Sequence, residues 1–437
     1  MKIAILGYGL QGQSVYEYYK GQDNQITVCD RGMVEDLPPD VDNQFGDSYL
    51  ARLDRFDLIF RSPSVHPKEI VDAGNGEQIL SKVTTNTNEF FKLCPTKNII
   101  GITGTKGKGT TSTLITKMLE GSGRRVHLGG NIGIPPLDLL REDIKEEDWV
   151  VLELANFQLI DLKQSPKIAV CLIIEPEHLD WHHDVDEYYQ AKTELFRNQT
   201  KEDIGIYYAK SENSKRIAST SPGKLIPYYE VPGALVAGSH ITIDGIPIIR
   251  LGELKLLGKH NWQNVCAAVT TVWQISKDSE PIAGVLREFS GLPFRIELIR
   301  EVNGIKYYDD SFASAPTATI AAVEAIREPK ILIIGGKDRG LDLKSLAEAL
   351  NDQADSIKKV FLIGEAANRL VYDLDKYGFT NVQVIKSPTT MKDIVEEANK
   401  LAEDGDSVVL SPGFPSFDMF KNFEDRGQQF NEVVNGL

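Results

Sequence analysis

Three α/β blocks built on parallel sheets are the fold class this sequence predicts. Short apolar runs alternate with helix-length amphipathic stretches along the chain, the βαβα rhythm of parallel sheets covered by helices. Two of the apolar runs lead directly into glycine-rich turns, at Gly7 and Gly101. The 437 residues also exceed what one ordinary core accommodates, and the pattern divides most naturally into three.

The first block, residues 1–92, carries strand patterns at 2–6, 26–30 and 56–61 and reads as a small doubly wound unit. The second, 93–293, opens with a strand at 98–103. A helix over 110–120 follows, with Leu114, Ile115, Met118 and Leu119 on its apolar face. Near-continuous apolar runs at 149–152 and 168–174 read as buried parallel strands, and a helix around 261–276 falls near the end of the block. The third, 294–437, begins with a hairpin in which Asn303-Gly304 forms a type I′ turn between 298–302 and 305–308. Strands at 330–334, 359–363, 382–385 and 407–410 then alternate with helices such as 343–350 and 391–402.

Composition narrows the function. Lys plus Arg number 48 against 63 Asp plus Glu, a net charge of −15, which argues against broad electrostatic binding to nucleic acid or anionic lipid. Any phosphate site must be local. No apolar run reaches bilayer length, and residues 1–6 form a strand-like run feeding glycines rather than a signal peptide, so the expectation is a cytoplasmic chain starting at Met1. Cys29, Cys94, Cys171 and Cys266 lack metal-ligand spacing and sit in or beside apolar stretches, as small buried residues of a reducing compartment do.

The strongest local signal is Gly101-Ile-Thr-Gly104-Thr105-Lys106-Gly107-Lys108-Gly109-Thr110-Thr111, between a strand and a helix. Glycines there let backbone amides close on phosphate oxygens, Lys108 neutralises the β and γ phosphates, and Thr110 or Thr111 offers a hydroxyl to Mg²⁺. The spacing departs from the strict phosphate-loop pattern, with Ile102 at the first glycine position and Gly109 between Lys108 and Thr110. Glu153, after the run 149–152, is a carboxylate able to reach the metal or simply a turn residue. Gly7-x-Gly9-x-x-Gly12 follows a strand, and Asp30 ends the next; alone these read as a dinucleotide site.

The order of motifs resembles the Mur ligases. It runs through the loop at 104–111, Glu153-Leu-Ala-Asn-Phe-Gln-Leu159, Glu177-His-Leu-Asp180, Ala191-Lys192, His260-Asn-x-x-Asn264, Leu292-Pro-Phe-Arg295, Asp309-Asp-Ser311, Gly335-Gly336 and Ser411-Pro412. Within that family the short first domain and the ending Ser411-Pro-x-x-x-Ser416-Phe-Asp-x-Phe420-x-x-Phe423 are most similar to the members that add D-glutamate to UDP-N-acetylmuramoyl-L-alanine. The resemblance implies a Rossmann-like N-terminal domain for the UDP-sugar (1–92), a central ATPase-type parallel sheet (93–293) and a Rossmann-like C-terminal domain for the amino acid (294–437). It implies attack of the substrate carboxylate on the γ-phosphate of ATP and displacement of phosphate from the acyl-phosphate by the amino group, through a tetrahedral intermediate.

Roles follow from the same resemblance. Thr110 and Glu153 would hold one Mg²⁺, and His178 with a carbamylated Lys192 a second. Read without it, Lys192 is a solvated lysine on a helix over 185–197, and His178 with His182 and His183 is a polar loop cluster or a zinc site, the latter without a second ligand group. Asn261, Asn264, Arg295 and Asp310 resemble nucleotide contacts. Gly9, Leu10, Gln11, Asp30, Arg31, Ser62, Pro63 and Ser64 would line the uridine diphosphate, and Asn131 the muramoyl part. Ser314, Arg339, Ser416 and Phe423 match contacts to the incoming glutamate. The partners implied are small molecules, and the expected state is a monomer.

Three departures stand out: Lys106-Gly107-Lys108-Gly109 where Asn-Gly-Lys-Ser is commoner, Ala155-Asn156 where hydroxyls are usual, and Phe312 where D-glutamate ligases commonly carry a lysine. Loss of one charged hydrogen bond, ~1.5 to 3 kcal/mol, weakens binding roughly ten- to a hundredfold unless compensated. Lys337 is a candidate replacement, and a different amino acid is the other reading. Competing functions are a nicotinamide oxidoreductase built on Gly7 to Gly12, a sister or folate-type ligase sharing the ATPase core, and a silent protein that kept the fold.

Overall fold

The computed structural model describes residues 1–386 and 389–437, and its chain is α/β throughout. Each of the three larger sheets grows from a strongly apolar strand near its centre. In the first, β1 (Lys2–Leu6) lies between β2 (Gln25–Asp30) and β4 (Leu58–Arg61), with β3 (Asp42–Phe45) and β5 (Val83–Thr84) outside, all parallel in the order β3-β2-β1-β4-β5. Ile3, Ala4, Ile5 and Leu6 are wholly buried, as both faces of a covered parallel sheet require.

The second sheet is parallel in the order β11-β10-β9-β6-β8-β7. Its strands are β6 (Ile99–Thr103), β7 (Val126–Gly130), β8 (Trp149–Glu153), β9 (Ile168–Cys171), β10 (Ile204–Tyr208) and β11 (Lys224–Tyr228). A three-stranded antiparallel sheet follows, β12 (Leu235–Ala237), β13 (His240–Ile243) and β14 (Ile246–Arg250). The last sheet has the order β15-β16-β20-β17-β18-β19. Its hairpin β15 (Glu297–Val302) and β16 (Ile305–Asp309) is antiparallel, and β17 (Lys330–Gly335), β18 (Ile357–Ile363), β19 (Val382–Val384) and β20 (Ser407–Leu410) are parallel.

Most sequence-read elements appear with boundaries shifted by a few residues. Helix Lys108–Gly121 begins at the lysine itself, and Glu153 is the last residue of β8 rather than the first beyond it. The expected run 168–174 stops at Cys171, where the chain turns to meet the phosphate loop. Asn303 and Gly304 both have positive φ, 51° and 76°, as the type I′ turn demands. Asp244-Gly245 (50° and 76°) makes the same turn between β13 and β14, a hairpin the sequence reading passed over.

The chain forms two compact units, one comprising residues 1–253 and 262–286, the other 254–261 and 287–437. The first two sheets share a unit and one continuous apolar cluster in which Ile3 and Ile5 join Val150 and Leu152. They are also joined through polar side chains. Arg61, the last residue of β4, has a fully buried side chain. It donates from Nε and Nη2 to the two carboxylate oxygens of Asp161 (2.8 and 2.7 Å), from Nη2 to Phe157 O, and from Nη1 to Ser62 O and Val65 O. Asn86 and Asn88 add bonds to Leu137 N, Asp161 O and Lys163 N.

Removing one partner of a fully buried ion pair costs ~3–5 kcal/mol because the other charge is left stranded, and the 23% exposure of the Asp161 side chain, which lets water reach it, puts this pair near about 2–3 kcal/mol. Arg61→Met should therefore lower the first urea-unfolding transition by about that amount, and a loss below roughly 1 kcal/mol would show that the two sheets are held by apolar contact alone.

Candidate active site

In a parallel sheet the carboxyl ends of all strands open on one edge, and the site is assembled there. β6 delivers the phosphate loop, β8 beside it delivers Glu153, and β7, the edge strand next to β8, delivers Gly129 and Gly130 with Asn131 just beyond its end. Gly107 has φ 85°, and a Cβ on it would meet Asn264 Oδ1 at 2.2 Å, so Asn264 sits directly against the loop. Lys108 Nζ arches back over that loop, donating to Gly104 O (2.9 Å) and Thr105 O (3.1 Å). Thr110 is nearly buried, and Thr111 Oγ1 is buried without a hydrogen-bond partner among the described residues.

The loop is stitched through Thr105 to the segment that follows β9 and to the helix beyond it. The Thr105 hydroxyl donates to Glu175 O (2.9 Å), and receives both Glu175 N (2.9 Å) and the Tyr188 hydroxyl (2.8 Å). Lys106 makes an exposed ion pair with Glu175 at 3.6 Å, a contact of little energetic weight. Tyr188 is wholly buried on helix Val185–Arg197, and one turn on, the Lys192 ammonium lies 4.6 Å from its ring centroid and 3.4 Å from Gly104 O. Burial, reinforced by the nearby Lys108 cation, brings the Lys192 pKa down from 10.5 to about 7, while Cys171 and Glu177 oppose the shift. A lysine that is substantially neutral at neutral pH is the form that carbon dioxide modifies.

His178 has φ 57°, is half-exposed, and packs on Phe157 (ring centroids 4.7 Å), with Nε2 3.6 Å from Glu177 Oε2. Its neighbour His182 lies in a different environment. His182 Nδ1, His66 Nε2 and His183 N all meet Glu187 Oε2, at 3.1, 3.2 and 2.9 Å. Ligand atoms of His66, His182 and Glu187 fall within 4.8 Å of one another, the second ligand group that the zinc reading lacked. Their protons decide otherwise: His66 Nδ1 accepts Lys68 N as a helix cap, and His182 Nε2 accepts Asn156 Nδ2, so each opposite nitrogen carries the proton that Glu187 receives. Burial holds the His182 pKa below its usual value, consistent with a neutral ring.

Toward the first sheet, a cleft of about 230 Å³ is lined by Gly9, Leu10, Gln11, Ser62, Pro63 and Ser64 on one side and Gly130, Asn131 and Pro135 on the other. Asn131 N and Nδ2 donate to Glu153 O and Oε1 (2.8 and 3.2 Å), so the cleft wall abuts the buried carboxylate at the end of β8. Gly12 is required for closeness, since a Cβ there would meet Gly7 O at 2.2 Å. Asp30 and Arg31 stand outside this lining. Asp30 accepts Tyr8 N and Gly32 N, holding the glycine turn, and the exposed Arg31 pairs with Glu69 at 3.4 Å.

In the other compact unit, Asp310 is buried and accepts Ser411 Oγ (2.6 Å) and Ile296 N (3.3 Å), and burial raises its pKa to about 7, as it does for Asp309. Arg295 lies on the loop that Asp310 ties down, and Asn261 donates to Leu257 O (2.6 Å). Ser416 is buried, Ser314 and Arg339 are exposed, and Phe423 opens helix Phe423–Asn435. Lys337, the candidate replacement for the missing lysine, is engaged by Glu365 Oε2 (2.5 Å). Sequence reading missed Arg426. It is wholly buried and donates to Ser311 Oγ and O and to Phe414 O, fixing the segments that carry Ser314 and Ser416. A cation on the inward face of an amphipathic helix, three residues after Phe423, was the signal.

Comparison with known proteins gives this arrangement a class. Residues 102–272 match the domain family described as Mur ligase middle domain, and 294–414 match Mur ligase, glutamate ligase domain. The chain belongs to the Mur ligase family. It is 35% identical to the UDP-N-acetylmuramoylalanine–D-glutamate ligase of Ruminiclostridium cellulolyticum over 100% of this chain and 97% of that one, and 35% identical to the like-named protein of Acetivibrio thermocellus over 100% and 96%. In fold it is similar to the UDP-N-acetylmuramate–alanine ligase of Thermotoga maritima (TM-score 0.63, 15% identity, 100% and 99% of the two chains). It is also similar to the MurF ligase of the same organism, solved in complex with ADP (TM-score 0.60, 14% identity, 99% and 94%).

The Lys192 environment has a measurable signature. The unfolded chain binds more protons than the folded one between about pH 7 and 10.5, so this residue makes stability rise with pH across that window, by at most about 1.4 kcal/mol per pH unit. Below about pH 7 its burial cost is fully present. Denaturant unfolding should accordingly show Lys192→Met stabilised relative to wild type more at pH 6.5 than at pH 9, whereas a difference independent of pH would contradict the assignment.

Proposed function

We propose that this chain is an ATP- and Mg²⁺-dependent ligase that joins D-glutamate to UDP-N-acetylmuramoyl-L-alanine in peptidoglycan precursor synthesis, through an acyl-phosphate and a tetrahedral intermediate. The observation that carries the reading is the cleft that runs from the glycine turn of the first sheet to the Asn131–Glu153 pair beside the phosphate loop. Such a cleft can hold a sugar nucleotide at one end and expose its terminal carboxylate to a nucleoside triphosphate at the other. The names borne by the full-length relatives support the same substrates, and the ADP of the Thermotoga maritima MurF ligase supports the nucleotide.

In this reading residues 1–92 take the UDP-sugar, with Gly9 to Gln11 and Ser62 to Ser64 around the diphosphate, Asp30 and Arg31 nearby, and Asn131 on the muramoyl part. Residues 93–293 take ATP. Residues 294–437 take glutamate, with Arg339 as the cation for its carboxylate and Ser314, Ser416 and Phe423 around it. Lys108 neutralises the β and γ phosphates while the loop amides from Gly104 to Thr111 orient them, and charge developing on the transferred phosphoryl group is what these fixed donors stabilise. Asn261, Asn264, Arg295 and Asp310 complete the nucleotide contacts.

Thr110 and Glu153 would hold one Mg²⁺, and His178 with carbamylated Lys192 the other. The residues fit: Glu153 is a buried carboxylate, threonine offers a second hard oxygen, and Lys192 has the depressed pKa that carbamylation needs. Bound magnesium supplies positive charge to the phosphate oxygens and to the substrate carboxylate. No helix among the described residues is long and apolar enough to cross a membrane, and we place the enzyme in the cytoplasm, as a monomer acting on small molecules.

Phosphate release is the test. With UDP-N-acetylmuramoyl-L-alanine, ATP and Mg²⁺, D-glutamate should give turnover, L-glutamate and other amino acids little, and Lys108→Met at least 10² less than wild type. Release that never depends on the sugar nucleotide would remove the assignment, and preference for L-glutamate would replace it with a sister ligase.

A further inference from the structure

Phe312 occupies the place where a lysine is common in D-glutamate ligases, and the structure gives it a different partner. The Arg295 guanidinium carbon lies 3.9 Å from the centre of the Phe312 ring. The ring also packs on Phe423, edge to face with centroids 4.8 Å apart, and Phe423 packs in turn on Phe294 at 6.2 Å. The backbone repeats the association: Phe312 N donates to Phe294 O (3.0 Å), and Asp310 receives Ile296 N. Arg295 therefore sits between two residues anchored to the 309–314 segment. Both of those residues, Phe294 (φ 61°) and Ile296 (φ 47°), are in the left-handed region, a strain that persists only where surroundings enforce it.

We propose that Phe312 is a positioning residue that acts through Arg295, its ring serving as the platform that fixes the guanidinium for contact with the nucleoside triphosphate. This rests on the functional reading above for the role of Arg295. An aromatic face attracts a cation, and a guanidinium stacked on it keeps its edge N–H groups directed outward in one plane. An ammonium at position 312 would repel Arg295 instead. The chain has exchanged a mobile charge for a supported one, so Phe312→Lys displaces Arg295 rather than restoring a missing contact.

The experiment is calorimetric binding of the non-hydrolysable analogue AMP-PNP with Mg²⁺ to the full-length protein, its Arg295→Ala, Phe312→Leu and Phe312→Trp variants, and the Arg295→Ala/Phe312→Leu double variant. Loss of the platform should weaken binding roughly three- to thirtyfold in Phe312→Leu. Phe312→Trp, which keeps an aromatic face, should bind within about twofold of wild type, and the double variant within about twofold of Arg295→Ala, because both changes remove one coupled interaction. Effects that multiply in the double variant, a Phe312→Leu or Arg295→Ala protein that binds as tightly as wild type, or a Trp variant as weak as Leu would each overturn the proposal. A wild type that does not bind the analogue would sink the functional reading itself. Should Phe312→Leu fail to fold, the Trp variant and Phe312→Lys, expected to be the weakest of the Phe312 series, decide the matter.

Discussion

The buried guanidinium of Arg61 is the constraint on which the site depends. Its five N–H groups are all committed, two of them to Asp161 across the boundary between the first two sheets and two to the carbonyls of Ser62 and Val65 in the turn that lines the cleft. Five directional bonds from a guanidinium that is itself shielded from solvent fix rotation as well as distance, which apolar packing alone does not. The glycine turn of one sheet and the strand ends of the other thus face each other across a gap sized for a ligand instead of collapsing onto one another.

A second constraint is electrostatic. Lys108 lies close enough to Lys192 to disfavour charge on it, in an enclosure that burial already makes a poor place for a second ammonium group. Lys108 relieves this by donating to the carbonyls of Gly104 and Thr105, while Lys192 relieves it through a depressed pKa and the face of Tyr188. The same helix also carries Glu187, which ties His66, in the turn after β4, to His182, in the loop leading into the helix. Helix Val185–Arg197 consequently touches the phosphate loop and the sheet junction at once.

What the sequence revealed follows from the range of each interaction. The strand–glycine–lysine–helix signal of residues 99–121 is local, so the loop and its lysine were legible directly. The glycine turn at 7–12 was legible locally as a nucleotide-type turn, but that Gly9 to Gln11 share one cleft with Ser62 to Ser64 and Asn131 was legible only through a family resemblance, because nothing local brings turns so far apart in sequence together. Arg61 was not legible at all: an arginine ending a strand reads as an exposed edge residue, and its partner lies 100 positions away. Tyr188 was hidden for a similar reason, as its hydroxyl meets Thr105 across 83 positions. The hairpin at Asp244-Gly245 was different, since its turn signal was present in the sequence and was passed over among weaker neighbours.

We propose that a carboxylate held in this cleft attacks the terminal phosphate beside Lys108. Isotope transfer tests it most directly. If UDP-N-acetylmuramoyl-L-alanine carries ¹⁸O in both carboxylate oxygens, turnover with ATP, Mg²⁺ and D-glutamate should release phosphate bearing one ¹⁸O, with the other retained in the new amide. Phosphate free of label, formed at the rate of the reaction, would mean that water or another group attacks ATP and that the cleft does not do the chemistry assigned to it.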